Sequence, residues 1–244
     1  MKKFSTARLV ALTTLAAMAG AAQASDISAA ALGTLSPATF RLLSEDLSAA
    51  VSYKPLVPAE SLGMLGFDVG VSVGGTKLAH RDAFRAAANG ASVPSIVPLV
   101  AARAHKGLPF DLDVGLAVGA LPGTNVRTYG GELRWAVLPG GVALPAIAVR
   151  GALSNLSGVE GLKLKTRSVD VSISKGFLMV TPYVGVGQVW TTSEATIATG
   201  PVSESFNKSK VFAGVNLNLG FNLAFETDKT GDTTSYGIKM GVRF

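Results

Sequence analysis

The chain ends in the stretch YGIKMGVRF, which spans residues 236–244. Large apolar side chains occupy every second position of this stretch, and small or charged side chains lie between them. A period of two residues is typical of a β-strand that has one apolar and one polar face. The apolar row consists of Tyr236, Ile238, Met240, Val242 and Phe244. The stretch therefore predicts an amphipathic strand that ends on an aromatic carboxy-terminal residue.

This ending resembles the final strand of bacterial outer-membrane β-barrel proteins, which typically ends in Phe and carries apolar residues at every second position before it. The resemblance implies that the apolar row of residues 236–244 is a signal read by the barrel assembly machinery. It also implies a location in the outer membrane of a Gram-negative cell, in contact with membrane lipid. The resemblance covers the whole mature chain, is specific only at the carboxy terminus, and is greatest to uncharacterised members of the family.

The other end of the chain has the features of a secretory signal. Three basic residues flank or precede an apolar run over residues 9–20, which is too short to span a bilayer. An Ala-Gln-Ala triplet at 22–24 places small residues where signal peptidase needs them. We therefore expect residues 1–24 to be a cleaved signal peptide, export of the chain, and a mature protein that begins at Ser25.

Composition narrows the class of protein further. Apolar residues make up 48% of the chain, yet no second stretch approaches 18 consecutive apolar residues, which excludes membrane-spanning helices. Loss of the signal removes three of 22 basic residues and none of 16 acidic ones, so the formal net charge falls from +6 to +3. The remaining basic residues are scattered, which argues against a nucleic-acid partner. An apolar exported chain of this kind is expected to carry its apolar side chains on alternating strands.

Alternation recurs along the chain and predicts eleven strands. An odd number of strands conflicts with both termini lying on one side of the membrane. Either a further strand lies within residues 27–43, which gives 12 strands, or the first predicted segment is not a strand, which gives 10. We favour an all-β fold, a single transmembrane antiparallel up-and-down barrel of about 12 strands, with 10 as the alternative. The strands are predicted near residues 46–54, 65–75, 95–105, 110–120, 126–138, 143–154, 163–174, 179–190, 209–217, 221–227 and 234–244.

The segment before the barrel allows several structures. Ser36-Pro37 is a suitable helix start, and the apolar residues that follow it up to Val51 have helical spacing. We therefore divide the mature chain into an N-terminal segment over 25–45, which is a strand, a short helix or a lumenal plug, and an outer-membrane barrel over 46–244.

Turns separate the predicted strands and alternate between short and long. Short turns are expected at 106–109, 139–141, 175–178 and 218–220, and long polar loops at 76–92, 154–161, 191–208 and 227–233. Outer-membrane barrels have short periplasmic turns and long external loops. The stretch Arg81–Asn89 predicts a short helix in the first long loop. Folding about the short turns predicts the facing pairs Arg103 with Asp113, His105 with Asp111, Asp170 with Tyr183, and Val215 with Leu223.

Charged residues at inward positions are expected to face the lumen. Folding about Gly140 makes Glu132 and Arg150 diagonal neighbours, within reach of each other. Such charges either brace the wall, which we favour, or set the ion selectivity of a pore. The predicted lumen-facing charges are Asp68, Arg103, Asp111, Asp113, Glu132, Arg134, Arg150 and Asp170.

Few residues suit catalysis or cofactor binding. The chain has two histidines, His80 and His105, and neither has the partners or spacing of a Ser-His site or a metal site. The absence of cysteine excludes a disulfide framework and Cys-based metal or redox sites. The glycine-rich run at 184–187 lacks a following Gly-Lys-Ser/Thr and does not predict phosphate binding. We therefore expect no enzyme, no cofactor and no metal.

Two functions remain. The first is a passive pore or channel for a small solute, favoured because Gly and Ala at many inward positions leave space in the lumen. The alternative is a structural or adhesive barrel with a closed lumen that presents its extracellular loops. An N-terminal segment that plugs the lumen would keep the conductance of the first kind of barrel low.

Overall fold

The structure is a computed structural model that describes residues 29–90 and 93–244. The expected signal peptide, residues 1–24, lies outside the described residues. Three helices and ten strands are present in the described part of the chain: α1 Ala29–Leu32, α2 Pro37–Val51, β1 Phe67–Lys77, α3 Arg81–Ala87, β2 Ile96–Leu108, β3 Leu112–Ala120, β4 Arg127–Leu138, β5 Ala146–Ser157, β6 Leu162–Ser174, β7 Val180–Ile197, β8 Gly200–Asn218, β9 Asn222–Thr230 and β10 Thr233–Arg243.

The strands form a closed antiparallel up-and-down barrel. Each strand pairs with its neighbours in sequence, and β1 pairs with β10 to complete the circle. The all-β barrel is confirmed, with the ten strands of the alternative prediction rather than the 12 that we favoured. None of the helices in residues 29–90 and 93–244 is long and apolar enough to cross a membrane.

The strand predicted at 46–54 is wrong, because α2 covers most of it. This helix begins where the sequence indicates a start: Pro37 is its first residue, and the Ser36 hydroxyl accepts a hydrogen bond from the Thr39 amide at 3.2 Å. No strand forms between residues 29 and 43 either. The barrel therefore begins at Phe67, not at residue 46.

The predicted sidedness of the strands is confirmed. Most inward side chains are buried, whereas most outward ones are exposed and apolar, as on β6, where Val169, Val171 and Ile173 are exposed and Asp170 is buried. We call the outward apolar side chains the apolar belt. At one edge of this belt the Phe67 and Phe244 rings lie 4.9 Å apart, centroid to centroid.

The two ends of the barrel differ. The terminal end, where Phe67 and Phe244 lie, carries the four connections of three to seven residues that join β2–β3, β4–β5, β6–β7 and β8–β9. The opposite end, the loop end, carries the segment 78–95, which contains α3 as predicted. The long loop expected over 191–208 is wrong: β7 and β8 have 18 and 19 residues and continue as a hairpin that turns between Ile197 and Gly200. The loops expected at 154–161 and 227–233 are tight turns.

The predicted facing pairs are displaced, although the faces are correct. His105 lies opposite Gly115, Tyr183 opposite Ser174, and Val215 opposite Phe225. These registers differ from the predicted ones by two or four residues, and an even shift keeps each side chain on its face.

The β2–β3 turn shows the cause of the displacement. It is made by Phe110 and Asp111, whose φ angles are +64° and +57°. A bulky aromatic residue rarely adopts positive φ, so no residue type in the sequence indicates a turn at Phe110. Asp111 is consequently a half-buried turn residue, and its predicted place in the lumen opposite His105 is wrong.

Candidate functional site in the barrel lumen

The lumen contains the N-terminal part of the chain. Residues 29–66, which we call the plug, pass from the loop end to the terminal end and lead into β1. Helix α2 lies at the loop end and packs against β6, β7 and β10. The remaining residues, 52–66, run as an irregular extended segment down to Phe67. The structure therefore places the segment predicted over 25–45, as far as it is described, in a plug that is longer than predicted.

Helix α2 forms hydrogen bonds with the inner wall through small hydroxyl side chains. The Ser44 hydroxyl donates to the Ser193 hydroxyl at 2.9 Å, and the Ser48 and Thr191 hydroxyls lie 2.5 Å apart. All four residues are buried. Ser44 and Ser48 are four residues apart, so they lie on one face of the helix, and this face contacts β7. These two hydrogen bonds thus fix both the rotation of α2 about its own axis and its position along the barrel axis.

Asp46 joins the helix to two other parts of the loop end. Its fully buried carboxylate accepts hydrogen bonds from the His80 amide at 2.7 Å and from the Thr233 hydroxyl at 2.8 Å. The His80 Nδ1 atom lies 3.2 Å from the same carboxylate. His80, which the sequence left in a loop without partners, therefore connects α2 to the segment that carries α3.

Ion pairs at the loop end hold the outer side of α2. Glu45 pairs with Arg41 and with Lys208 of β8, both at 2.9 Å, and Arg41 also pairs with Glu204. Burial raises the pKa of the Glu45 carboxyl, but hydrogen bonds from Lys208 and Arg41 outweigh this effect, so its pKa lies below the ordinary value. Glu45 therefore remains ionised and paired at neutral pH.

The wall supplies partners for the backbone of the extended segment. Buried backbone N–H and C=O groups need hydrogen-bond partners, and this segment has no helix or sheet of its own to provide them. Charged and polar wall side chains take that role, and each bond joins residues far apart in sequence. The bonds run from Arg103 to the Lys54 carbonyl (2.6 Å), Lys210 to the Tyr53 carbonyl (2.5 Å), Arg134 to the Pro58 carbonyl, the Leu56 amide to Glu226 (2.8 Å), the Ala59 amide to Ser174 (3.1 Å), and the Leu62 amide to Asp113 (3.0 Å).

Two plug side chains also reach the wall. The Lys54 ammonium pairs with the buried Asp228 carboxylate at 3.0 Å. The Tyr53 hydroxyl lies 3.3 Å from His105 Nε2, and the same nitrogen lies 3.4 Å from the Glu132 carboxylate. His105 is thus enclosed between the plug and the wall, where it faces Glu132 rather than the predicted Asp111.

The predicted lumen charges, apart from Asp111, lie inside the barrel and are bound to partners. Arg150 donates to Asp170 at 2.6 Å and to Glu132 at 3.3 Å, so the predicted contact between Glu132 and Arg150 is present. Arg134 donates to Asp113 at 2.8 Å. The remaining two, Asp68 and Arg103, bind Lys239 and the plug backbone. These groups brace the wall and the plug, and we find no row of free charges among the predicted residues.

Four further fully buried charges lie in the lumen. They are Lys210, Glu226, Asp228 and Lys239, and they are absent from the predicted set. All four occupy inward positions in the alternation of β8, β9 and β10, which is the signal that could have identified them. Three of them contact the plug directly, at Tyr53, Lys54 and Leu56, which lie outside the segment 25–45 that was considered as a plug.

Inward glycines provide room for large side chains instead of an open channel. A Cβ atom on Gly130 would lie 2.8 Å from the Tyr53 ring, and one on Gly237 would lie 3.1 Å from Leu56. A Cβ atom on Gly185 would lie 2.2 Å from the Phe212 ring. The inference that glycine leaves the lumen empty is therefore wrong, since these positions accommodate the plug and neighbouring wall residues.

An apolar cavity lies at the loop end, between α2, α3 and the strands β1, β2, β4 and β5. Its volume is about 50 Å³. It is smaller than a cavity of roughly 150 Å³ that admits benzene in another protein. The side chains that define it include Leu47, Val51, Phe84, Val97, Val126 and Leu156. The cavity thus has room for a small apolar group only.

Comparisons with known proteins give low similarity. No protein-family model and no curated protein matches the chain. Among solved structures, it is similar to the attachment invasion locus protein Ail of Yersinia pestis, with 13% identity, 77% of this chain and 100% of that chain covered, and a TM-score of 0.39. The N-terminal β-barrel domain of OprF of Pseudomonas aeruginosa is 13% identical, with 75% of this chain and 99% of that chain covered and a TM-score of 0.35. Neisserial surface protein A is 10% identical, with 73% of this chain and 94% of that chain covered and a TM-score of 0.30.

These TM-scores are too low to support the fold assignment, and the strand pairing alone establishes the barrel. The resemblance to bacterial outer-membrane β-barrel proteins, first seen in the carboxy-terminal strand, therefore extends to the closed antiparallel strand order of the whole barrel.

Proposed function

We propose that this chain is an outer-membrane β-barrel whose lumen is closed by its own plug, and that it acts through the surface of its loop end rather than as an open pore. The observation that carries the proposal is the bonding of the plug to the wall along the lumen, from Ser44 at the loop end to Leu62 near the terminal end. A solute path through the barrel would require these bonds to break.

The apolar belt supports the placement in a membrane. On β7 the outward side chains are apolar from Val180 to Val186, the half-buried Gln188 and then Trp190 lie further along the same face, and Thr192 and Glu194 follow. The span from Val180 to Trp190 covers 11 residues, and a transmembrane strand needs about 9–11. Aromatic residues such as Trp190 are enriched where a membrane meets water. Beyond this residue the β7–β8 hairpin has a polar outer face and would project from the bilayer.

A gated channel is the second candidate. This candidate is supported by the polar contacts that hold the plug. Residues 52–66 bind the wall through hydrogen bonds and an ion pair, and water can replace these contacts if the segment leaves the lumen. The charges released on the wall would then line a polar path. The two candidates differ in whether the plug ever leaves the lumen.

Conductance with a locked plug separates them. The chain has no cysteine, so the pair Ser44→Cys with Ser193→Cys can form one defined disulfide between α2 and β7. We expect the refolded wild-type protein to give no conductance steps in planar bilayers, because the plug is part of the fold. For the same reason the Ser44→Cys, Ser193→Cys variant should give no steps, whether it is oxidised or reduced.

The matched control is Thr76→Cys with Ser235→Cys, which joins β1 to β10 at hydroxyls 3.0 Å apart and leaves the plug free. Steps in the wild type that disappear only in the oxidised Ser44–Ser193 variant, and return on reduction, would replace the proposal with the gated channel. Steps that persist in the locked variant would contradict the closed lumen altogether.

A further inference from the structure

Charges on the outer surface of the barrel strands are almost all positive and lie mainly at the loop end. Eight charged strand residues face outward: Lys77, Lys106, Arg127, Lys163, Lys165, Arg167, Glu194 and Lys229. Only Glu194 is acidic, and only Lys106 lies at the terminal end, where it donates hydrogen bonds to the Met64 and Gly66 carbonyls. The loop end therefore has an outward surface whose charge is unlike that of the rest of the barrel.

The densest part of this surface is on β6. Lys163, Lys165 and Arg167 occupy alternate positions and point outward together, and all three are exposed. We call them the β6 row. Alternate residues of a strand are about 6.6 Å apart, so the row spans roughly 13 Å. No ion pair within the described residues involves any of them, although Glu194 is the register partner of Lys163.

The row lies at the rim of the apolar belt. Arg167 is opposite Trp190 on β7, and Lys165 is opposite Asn155 on β5. Below Arg167 the outward face of β6 becomes apolar at Val169. Trp190 marks the membrane–water boundary, so in a bilayer the three cations would lie at the height of the lipid headgroups.

We propose that the β6 row binds the phosphate groups of an anionic glycolipid, a phosphorylated disaccharide with acyl chains, in the leaflet at the loop end. The inference rests on the membrane placement in the proposed function. Exposed cations without protein partners at headgroup height are neutralised by lipid phosphates, and each basic residue near an anionic surface adds to the attraction. The row has about the length of a disaccharide, and the valines below it would contact the acyl chains.

Trp190 provides a reporter beside the row. The other tryptophan, Trp135, lies near the terminal end, and a Trp135→Phe background leaves Trp190 alone. In that background, bis-phosphorylated lipid A is titrated into the protein in phosphatidylcholine nanodiscs while Trp190 fluorescence is followed. We expect the triple change Lys163→Gln, Lys165→Gln and Arg167→Gln to weaken the apparent affinity by roughly tenfold or more.

The control variant removes basic residues elsewhere on the same surface. Lys77→Gln with Lys229→Gln should retain nearly the affinity of the background protein, and dephosphorylated lipid A should bind both proteins weakly. Equal affinity of the triple variant and the background protein would overturn the proposal. Binding of a soluble sulfated polysaccharide would also overturn the proposal if it were as tight as the binding of lipid A and were abolished by the triple change. The partner of the β6 row would then be a soluble polyanion.

Failure of this inference is distinguishable from failure of the proposed function. Heat-modifiable migration and insertion into plain phosphatidylcholine vesicles report the membrane barrel independently of lipid A. An inserted protein that shows no preference for the phosphorylated lipid would reject the β6 row alone, whereas a protein that does not insert would reject the membrane placement and the row together.

Discussion

Replacing Asp68 with Leu is expected to lower the free energy of unfolding by about 3–5 kcal/mol. Asp68 of β1 and Lys239 of β10 form an ion pair of 2.6 Å at the seam where the barrel closes, and both side chains are fully buried. The substitution leaves the Lys239 ammonium without its partner inside the lumen. The loss is measured by urea unfolding of the protein refolded in lipid vesicles.

Two controls test this effect: substitution of the partner Lys239, and substitution of both residues together. Lys239→Met should cost a similar amount, because it leaves the Asp68 carboxylate buried without a partner. The double variant Asp68→Leu with Lys239→Met should lie within about 1–2 kcal/mol of the wild type, since replacing a buried ion pair by apolar residues is often neutral or stabilising. Single variants that lose less than the double variant would contradict the assignment of this pair to the closed seam.

Arginine at Val215 should cost roughly 2–4 kcal/mol of stability in lipid vesicles. Val215 is half-exposed on the outward face of β8 within the apolar belt, and its register partners are Pro182 of β7 and Phe225 of β9. This face contacts lipid, so a charge at this position would be buried in hydrocarbon. The cost is measured as the change in unfolding free energy relative to the wild type.

Ser205→Arg is the matched control for this substitution. Ser205 is exposed on the same face of the same strand, on the part of the β7–β8 hairpin that lies beyond Trp190 and projects into water. We expect no penalty there. An inward position is less suitable as a control, because Asn216 is buried and bonded to Asn222, and a Cβ atom on Gly70 would lie 2.5 Å from the Met240 carbonyl oxygen. Equal costs at 215 and 205 would argue against a lipid-facing belt.

Strands and their faces could be predicted from the sequence because they depend on local alternation. A period of two residues in β10 assigns Ile238 and Val242 to one face and Lys239 to the other wherever the neighbouring strand begins. Errors in register did not affect this assignment, since the shifts were even. The exact position of each turn carried no such local signal, so pairs were displaced both at Phe110-Asp111, which has no glycine, and at the turn 218–220, which contains Gly220.

The contents of the lumen could not be predicted in the same way. Tyr53 and Leu56 occupy space that Gly130 and Gly237 provide, and these residues are more than 70 positions apart in the chain. A glycine at an inward position looks the same in the sequence whether the lumen beside it is empty or filled. Composition therefore favoured a pore, and only the three-dimensional arrangement shows that residues 52–66 fill the barrel.

Disulfide formation in intact outer membranes tests the closed lumen most directly. In cells that express Ser44→Cys with Ser193→Cys, we expect nearly complete oxidation without added catalyst, because the two native hydroxyls are buried and 2.9 Å apart. Ser44→Cys with Thr181→Cys should stay reduced, because Thr181 lies at the terminal end of the same strand, 12 residues from Ser193 and roughly 40 Å along it. Unoxidised thiols at 44 and 193 in a correctly folded, membrane-inserted barrel would show that α2 does not lie against β7, which would contradict the closed lumen.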